Sequence, residues 1–308
     1  MDTETQELDL YDYIKKDPYP ITLKNFPKFI DGSFDYAKGG HRSLVLYNEN
    51  ADIGGGRITE RDIDVLKKYP YLHTVTVAGL HQDTFEYFIR KYGEQLRAIR
   101  FFKNKLVEDW SLLGTLRGLE FIYWFHNQRV ERLWDMSGNR ALKGLALDDF
   151  SRLHDLSGVE RAPTLKYFHI GDKVWPKTVI DSLAPLRGTA ISTLAFEGRK
   201  ITDVDLSVLW DMPYLTEFNF FSNHFTTEQV AWMVANKPKM KGRYLCGMTE
   251  TTKFVDGREV PAVLIVGKGK PLLARAGNET RIRKYAVAFD DMVARYRDVP
   301  YGEAFPTA

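Results

Sequence analysis

The chain has 308 residues, 44% of them apolar, so it can bury a substantial hydrophobic core. Its 43 Lys and Arg residues nearly balance its 41 Asp and Glu residues, and this balance gives no global field that would favour nucleic acid or a membrane surface. A single cysteine, Cys246, excludes an intramolecular disulfide, and no signal peptide or membrane-spanning stretch is evident, so we expect a cytoplasmic protein.

Residues 1–41 form the first predicted unit. They are modestly acidic and rich in apolar side chains, but they lack the periodic spacing that begins after them. Gly39-Gly40 predicts a turn at the end of this segment. We expect the segment to cap one end of the structure that follows.

Residues 42–245 carry a repeated spacing, in which one apolar residue is followed by another three positions on and a third two positions later. Successive copies begin 23 to 26 residues apart, at Leu72, Leu96, Leu119, Leu142, Leu165, Ile191 and Leu215. With an earlier strand around Leu44 and Leu46, the spacing predicts about eight units. A period of this length is typical of a solenoid, because each unit can bury its apolar face only against its neighbours.

The segments between the predicted strands change their period. Apolar spacings of three and four predict helices in residues 62–68, 84–91, 204–210 and 227–235. Thr226 with Gln229 has the form of a capping box, and Thr202 with Asp205 is a weaker version of it. Gly and Pro interrupt residues 151–163 and 175–186, which predicts irregular turns there.

Residues 246–308 lose the repeat and predict a C-terminal cap. Asp256-Gly257 is a preferred two-residue turn between two strand-like runs, so it predicts a β-hairpin. Pro261 lies inside the second run and predicts that this strand is an edge strand. Asn278 is the predicted N-cap of an amphipathic helix.

The repeat resembles the leucine-rich repeat family. Its pattern Leu-x-x-Leu-x-Leu-x-x-Asn is matched by residues 96–104, 119–127 and 215–223, which end at Asn104, Asn127 and Asn223. The resemblance implies an α/β horseshoe with a parallel β-sheet on its concave face, helices or irregular turns on its convex face, and protein recognition as the usual role. In the family the asparagine satisfies backbone groups in the turn, so the units with Phe150, Lys173 and Arg199 at this position need other partners.

Side chains alternate along a strand, so the third, fifth and seventh positions of each unit are predicted to face outward from the concave sheet. Aromatic residues there flank the small residues Gly144 and Ala146, which predicts a trough suited to a partner protein. The candidate partner-binding residues are Arg100, Phe102, Phe121, Tyr123, Phe125, Asp148, Tyr167, His169, Glu197 and Phe221.

These observations predict a non-catalytic scaffold that binds a partner protein and needs no cofactor, metal, nucleic acid or membrane. Cover of the aromatic residues by a loop, by the N-terminal cap or by a second copy in a homodimer is the alternative to partner binding. An immunity protein that blocks a toxin and a host-directed effector are further alternatives. An enzyme would need a nucleophile and base around Cys246, or around His169 and Asp148 on adjacent strands, and the histidines have no metal-ligand spacing.

Overall fold

A computed structural model of the protein describes residues 43–46, 57–70 and 72–306. The predicted N-terminal cap, residues 1–41, lies outside the described residues.

Eight short strands form one parallel sheet whose order follows the chain. They are β1 Ser43–Leu46, β2 Thr74–Ala78, β3 Ala98–Phe102, β4 Phe121–Asn127, β5 Gly144–Phe150, β6 Tyr167–Gly171, β8 Thr193–Glu197 and β10 Glu217–Phe220. Each strand pairs in parallel with the next one in this series. The predicted α/β class, with a parallel sheet, is confirmed.

The repeated apolar positions align across the sheet as predicted. Cross-strand partners occupy the same place in each unit, and the central row contains Val75, Ile99, Ile122, Leu145, Phe168, Leu194 and Phe218. Every member of this row is buried in the main core. This face, which we call the core face, fixes the register of all seven strands, because a slip by one residue would move the whole row to the other side.

Helices and 3-10 turns cover the core face. The α-helices are α1 Glu60–Ile63, α2 Gln82–Tyr92, α3 Thr227–Asn236, α4 Glu279–Tyr296 and α5 Tyr301–Ala304. The 3-10 turns are Asp64–Lys68, Gly93–Gln95, Ser111–Thr115, Met136–Gly138, Val159–Arg161, Ala184–Leu186 and Leu206–Leu209. In the described part of the chain, no helix has both the length and the apolar character needed to cross a membrane.

Two details of these connections differ from the predictions. Residues 175–186, predicted as an irregular turn, contain strand β7 Val179–Ser182, which pairs in parallel with β9 Lys200–Asp203. Thr202 therefore lies in a strand and does not cap a helix. Asp205 is itself the N-cap of the next 3-10 turn, where its carboxylate accepts a hydrogen bond from the Ser207 amide at 2.9 Å.

The capping box at α3 is confirmed. The Thr226 hydroxyl accepts a hydrogen bond from the Gln229 amide at 3.2 Å, and the Gln229 side chain accepts one from the Thr226 amide at 3.0 Å. These two bonds satisfy backbone donors that the first turn of a helix leaves without partners.

The C-terminal part contains the predicted hairpin. Strands β11 Met248–Val255 and β12 Arg258–Ile265 are antiparallel, and the turn residues Asp256 and Gly257 both have positive φ. The prediction that Pro261 marks an edge strand is wrong, because β13 Leu272–Ala274 pairs with the other side of β12. The proline is tolerated because the pairing with β13 covers only residues 262–264.

Helix α4 begins directly after Asn278, as predicted, but the Asn278 side chain donates to the Ala274 carbonyl at 3.0 Å and does not cap the helix. The predicted apolar face of α4 is divided between two clusters. Ile282 and Tyr285 pack on the three-stranded sheet, whereas Phe289 and the residues after it pack on the main core.

Buried side chains connect successive turns at the ends of the strands. The Asn104 side chain accepts from the Leu80 amide at 2.8 Å and donates to the Val77 carbonyl at 2.9 Å. Asn127 makes four such bonds, to two carbonyls and two amides. Phe150 replaces asparagine in the next unit, and its carbonyl oxygen accepts a hydrogen bond at 3.1 Å from the hydroxyl of Thr178 in the connection that follows β6.

Candidate functional site

The predicted partner-binding residues lie in rows on the second face of the main sheet, opposite the core face. One row pairs Arg100, Tyr123, Ala146 and His169, and a parallel row pairs Phe102, Phe125, Asp148 and Gly171. The predicted alternation of side chains between the two faces is therefore confirmed. Strand pairing brings together residues that are more than 20 positions apart in the chain.

Most of these residues are buried, although they lie on the predicted face. Of the ten, seven are buried: Arg100, Phe121, Tyr123, Phe125, Asp148, Tyr167 and His169. Phe102 and Glu197 are partly buried, and only Phe221 is exposed, at 42%. Gly144 and Ala146, the predicted floor of the trough, are buried as well. The predicted role of these residues in binding a partner stays a prediction.

The aromatic members form a compact group, which we call the aromatic cluster. It contains Ala98, Phe121, Tyr123, Phe125, Ala146 and Tyr167, with Phe102 packed against them. The rings of Phe102 and Phe125 stack with their centroids 5.3 Å apart. Each buried ring of this kind stabilises the structure by roughly 1.5–3 kcal/mol relative to an exposed one, so the cluster strongly favours a covered state.

Arg100 gives this cluster a buried positive charge. Its guanidinium lies 5.4 Å from the centre of the Phe102 ring and 5.5 Å from that of Tyr123, within the range of cation–π attraction. Burial lowers the pKa of Arg100 to about 10, which still leaves the guanidinium charged at neutral pH.

A polar group adjoins the aromatic cluster around Asp148. The Asp148 Oδ1 atom is 2.8 Å from His169 Nε2, and Lys173 Nζ lies 3.9 Å from the other carboxylate oxygen. Burial alone would raise the pKa of Asp148, but the charge and hydrogen bond of His169 and the charge of Lys173 outweigh it, so the pKa is lowered. The predicted approach of His169 to Asp148 is confirmed.

Gly171 makes room for this pair. A Cβ atom at position 171 would lie 2.8 Å from His169 Nε2 and 3.2 Å from Asp148 Oδ1, closer than side chains normally approach. The pair and the glycine therefore belong to one tightly packed arrangement. Because Asp148 and His169 are almost completely buried, the pair is suited to fixing the face and not to contacting a substrate.

The far end of the second face is more open. A depression of about 350 Å³ there is lined by residues that include Asp172, Val174, Glu197, Phe221 and His224. Val174 is 57% exposed and Phe221 is 42% exposed, so two apolar side chains stand at its rim. Burial raises the pKa of Asp172 to about 6, against the opposing effect of hydrogen bonds from Thr178.

Asp149 shapes the loop beside this depression, and sequence reasoning missed it. Its carboxylate accepts hydrogen bonds from the amides of Lys173, Val174 and Trp175 at 3.0–3.1 Å. The Trp175 ring, 41% exposed, lies 4.7 Å from the ring of His126. The signal in the sequence was the break in the asparagine pattern at the neighbouring residue, Phe150.

A second depression, of about 1000 Å³, lies among the 3-10 turns. Asp109, Asp135 and Asp155 lie in it, and each accepts a hydrogen bond from the amide of a serine two residues later, at 2.8–2.9 Å. The repeated Asp-x-Ser motif that builds these turns was visible in the sequence but was not identified. Six carboxylates and three arginines line this depression, so acidic side chains outnumber basic ones there.

Cys246 lacks the surroundings of a nucleophile. Its thiol is half-buried, its Sγ atom lies 3.7 Å from the Arg243 carbonyl oxygen, and burial raises its pKa. A raised pKa reduces the fraction of reactive thiolate at neutral pH. Among the described residues, no group of three or more His, Cys, Asp or Glu side chains is arranged to hold a metal ion.

Comparison with known proteins finds no family model that matches this sequence and no curated protein that is significantly similar to it.

Proposed function

We propose that this chain is a leucine-rich-repeat type solenoid that binds a partner protein through the second face of its main sheet. The strand order supports this architecture, because it follows the chain without reversal, whereas a doubly wound fold reverses its strand order at a switch point. The buried asparagines at positions 104 and 127 support it further, because they bond backbone groups in the turns, as the family resemblance implies.

One observation carries the binding proposal: the second face holds an apolar cluster of strand residues and, beyond it, an exposed apolar rim. Single exposed apolar residues are common on protein surfaces, but Val174 and Phe221 both line one depression and continue the same face. Glu197, in the same depression, adds a negative charge, so a partner with an apolar anchor beside a basic group fits the rim.

The test is affinity capture from the source organism by the full chain, read by quantitative mass spectrometry. The variant V174S/F221S changes the rim, and F254S/V255S is the matched control, because Phe254 and Val255 are also exposed but lie at the hairpin tip. We expect the rim variant to lose a captured protein that the control retains, with both variants folded by circular dichroism. Equal capture by the two variants would contradict the proposal.

The Asp148–His169 pair does not support an enzymatic alternative. It resembles a base and the carboxylate that orients it, but the two side chains are 0% and 1% exposed. A general base must come within hydrogen-bond reach of its substrate. We therefore assign the pair a structural role in the proposed binding face.

A further inference from the structure

Strand β11 leaves one edge of the terminal sheet, which consists of β11, β12 and β13, without a partner strand. β11 pairs with β12 along its whole length, and none of the described segments pairs with its other edge. Residues 250–255 of this strand are all exposed. Phe254, at 72%, is the most exposed large apolar side chain in the described part of the chain. An exposed edge strand of this kind can pair with a strand of another chain.

The hydrogen bonds of β12 indicate which backbone groups of β11 face the free edge. Towards β13, the Pro261 carbonyl accepts from the Arg275 amide at 2.9 Å. On the same side, the Ile265 amide donates to the Pro271 carbonyl at 3.1 Å. The even-numbered residues of β12 therefore bond β11, where their partners are odd-numbered residues. The even-numbered residues of β11 direct their N–H and C=O groups outward, and we call them the outer row: Met248, Glu250, Thr252 and Phe254.

The side chains of the outer row lie on the apolar face of the terminal sheet. Met248 stands opposite the buried Ile265 and packs against a small cluster that includes Ile282 and Tyr285 of α4. Alternate residues of a strand share one face, so Phe254 projects from this face as well. It lies outside the cluster, at the tip of the hairpin. The terminal sheet therefore has an apolar face that continues beyond its own small core.

We propose that two copies of the chain pair through the outer edges of their β11 strands, antiparallel about a two-fold axis, and join their terminal sheets into one six-stranded sheet. A two-fold axis perpendicular to the sheet keeps every side chain on its own face, so even-numbered residues pair with even-numbered ones. Pairing Met248 with Phe254 of the second copy, and Glu250 with Thr252 of the second copy, uses the outward backbone groups of the whole outer row in both copies.

No other register of this symmetry uses all of these groups. A shift in one direction leaves Met248 without a partner and places Glu250 opposite Phe254 of the second copy. A shift in the other direction leaves Phe254 without a partner and places Glu250 opposite the same residue of the second copy. Like charges directly opposite each other destabilise a strand pair. The backbone and the charges therefore favour the same register.

The proposed register also covers the exposed aromatic ring. Phe254 meets Met248 of the second copy, and contacts between a thioether and an aromatic ring are favourable. The ring thereby extends the small apolar cluster of the second copy, because both terminal sheets keep their α4 helices on the same side of the joint sheet. Glu250 retains the Arg275 guanidinium of its own chain, whose Nη1 atom lies 3.0 Å from the carboxylate, so its charge stays compensated.

The other face of the joint sheet carries compatible side chains. Thr251 lies directly opposite Thr251 of the second copy, and pairs of threonines across two strands are favourable. Lys253 lies opposite Thr249 of the second copy, so no like charges oppose each other on this face. The second copy is therefore an occupant that fits both the side chains and the backbone of β11.

The first test measures self-association of the full chain by sedimentation between about 1 and about 500 μM. T252P removes an outward-pointing amide and leaves the hydrogen bonds to β12 in place. T252A is the matched control, because it removes the same hydroxyl but keeps the amide. We expect wild type and T252A to dimerise, and the dissociation constant of T252P to be at least about tenfold higher. Circular dichroism establishes that each variant is folded.

Two results of this experiment would overturn the proposal. A wild-type chain that stays monomeric over the whole range would show that the edge does not take a second copy. A T252P dimer as tight as that of T252A would show that the copies meet at another surface.

The second test examines the register by disulfide cross-linking in a C246S background. In the proposed pairing the two Thr251 Cα atoms are about 4.5 Å apart, within the range of a disulfide. The two Lys253 residues are displaced along the strands by four positions, or about 14 Å. T251C should therefore form a covalent dimer on mild oxidation, whereas K253C, at an equally exposed position, should not. Cross-linking of K253C without that of T251C would contradict the pairing.

The self-association does not rest on the proposed binding function. F254S/V255S should dimerise more weakly and still capture a partner protein, because the rim around Val174 and Phe221 lies on the main sheet. Loss of capture in V174S/F221S with an unchanged dimer would support the binding function alone. Failure of either proposal is therefore visible in a different measurement.

Discussion

Replacement of Asn127 by alanine tests the assignment of the turns most directly. The side chain is 1% exposed and makes four hydrogen bonds. It donates to the carbonyls of Asn104 and Val107 at 3.1 and 2.8 Å, and it accepts from the amides of Arg129 and Val130 at 2.9 Å each. All four partners are backbone groups in two adjacent turns. The alanine variant leaves all four without this partner.

The expected loss follows from the number of bonds. A buried hydrogen bond contributes about 1 kcal/mol net, and a buried group left without a partner costs about 1–3 kcal/mol. Four bonds lost at one site therefore predict that N127A lowers the free energy of unfolding by about 3–5 kcal/mol, with some groups regaining water. Urea unfolding followed by tryptophan fluorescence measures this difference.

Asn223 supplies the matched control. It occupies the same position of the repeat pattern as Asn127, but it is exposed in the structure. We expect N223A to change the free energy of unfolding by less than about 0.5 kcal/mol. If the two variants are equally destabilised, or if N127A remains within 0.5 kcal/mol of wild type, the assignment of a bonding role to the buried asparagine is refuted.

Three further predictions concern the polar part of the second face. G171A places a Cβ atom 2.8 Å from His169 Nε2, so we expect it to lower the free energy of unfolding by about 1–3 kcal/mol. G118A is the control, because a Cβ atom there meets no atom within 4 Å. Thermal unfolding of both variants measures the difference. The lowered pKa of Asp148 means that its charge stabilises the fold above the unfolded pKa, near 3.9, and that this contribution is lost as the pH falls through the folded pKa. D148N should therefore be clearly less stable than wild type at about pH 7, and the difference should shrink as the pH is lowered from about 4 towards about 2. A difference between the urea midpoints that stays constant over this range would contradict the prediction. The pKa of Asp172 is raised to about 6, so its ionisation destabilises the fold as the pH rises through that value. The melting temperature of D172N, relative to that of wild type, should therefore be higher at about pH 8 than at about pH 4.5.

The strands and their register could be predicted because they depend on a local pattern. The spacing of three and then two apolar positions requires a strand with one buried face, and its repetition requires neighbouring strands to align. Ile122 and Phe168 occupy the core face as that pattern demands. The Asp256-Gly257 turn and the Thr226 capping box were predictable for the same reason, since each depends on residues close together in the chain.

The features that sequence reasoning missed depend on residues far apart in the chain. Thr178 satisfies the Phe150 carbonyl from 28 positions away, so no local pattern reveals it. Pro261 predicts an edge strand, and no local pattern indicates that the short strand β13 pairs with the free side of β12. The burial of Tyr123 stayed open as one of two alternatives, because alternation indicates which face a side chain occupies but not whether that face is covered.

The second face combines two parts with different physical constraints. Asp148 is fully buried, and loss of His169 would leave it with a weaker set of partners, so substitutions at this centre change stability as well as surface. Val174 and Phe221 are exposed, and their replacement leaves the buried pair intact. If the proposed binding role is correct, the specificity for a partner is therefore carried by the rim, where side chains can change without loss of the fold. Substitutions at the centre would lower affinity and stability together, whereas substitutions at the rim would lower affinity alone.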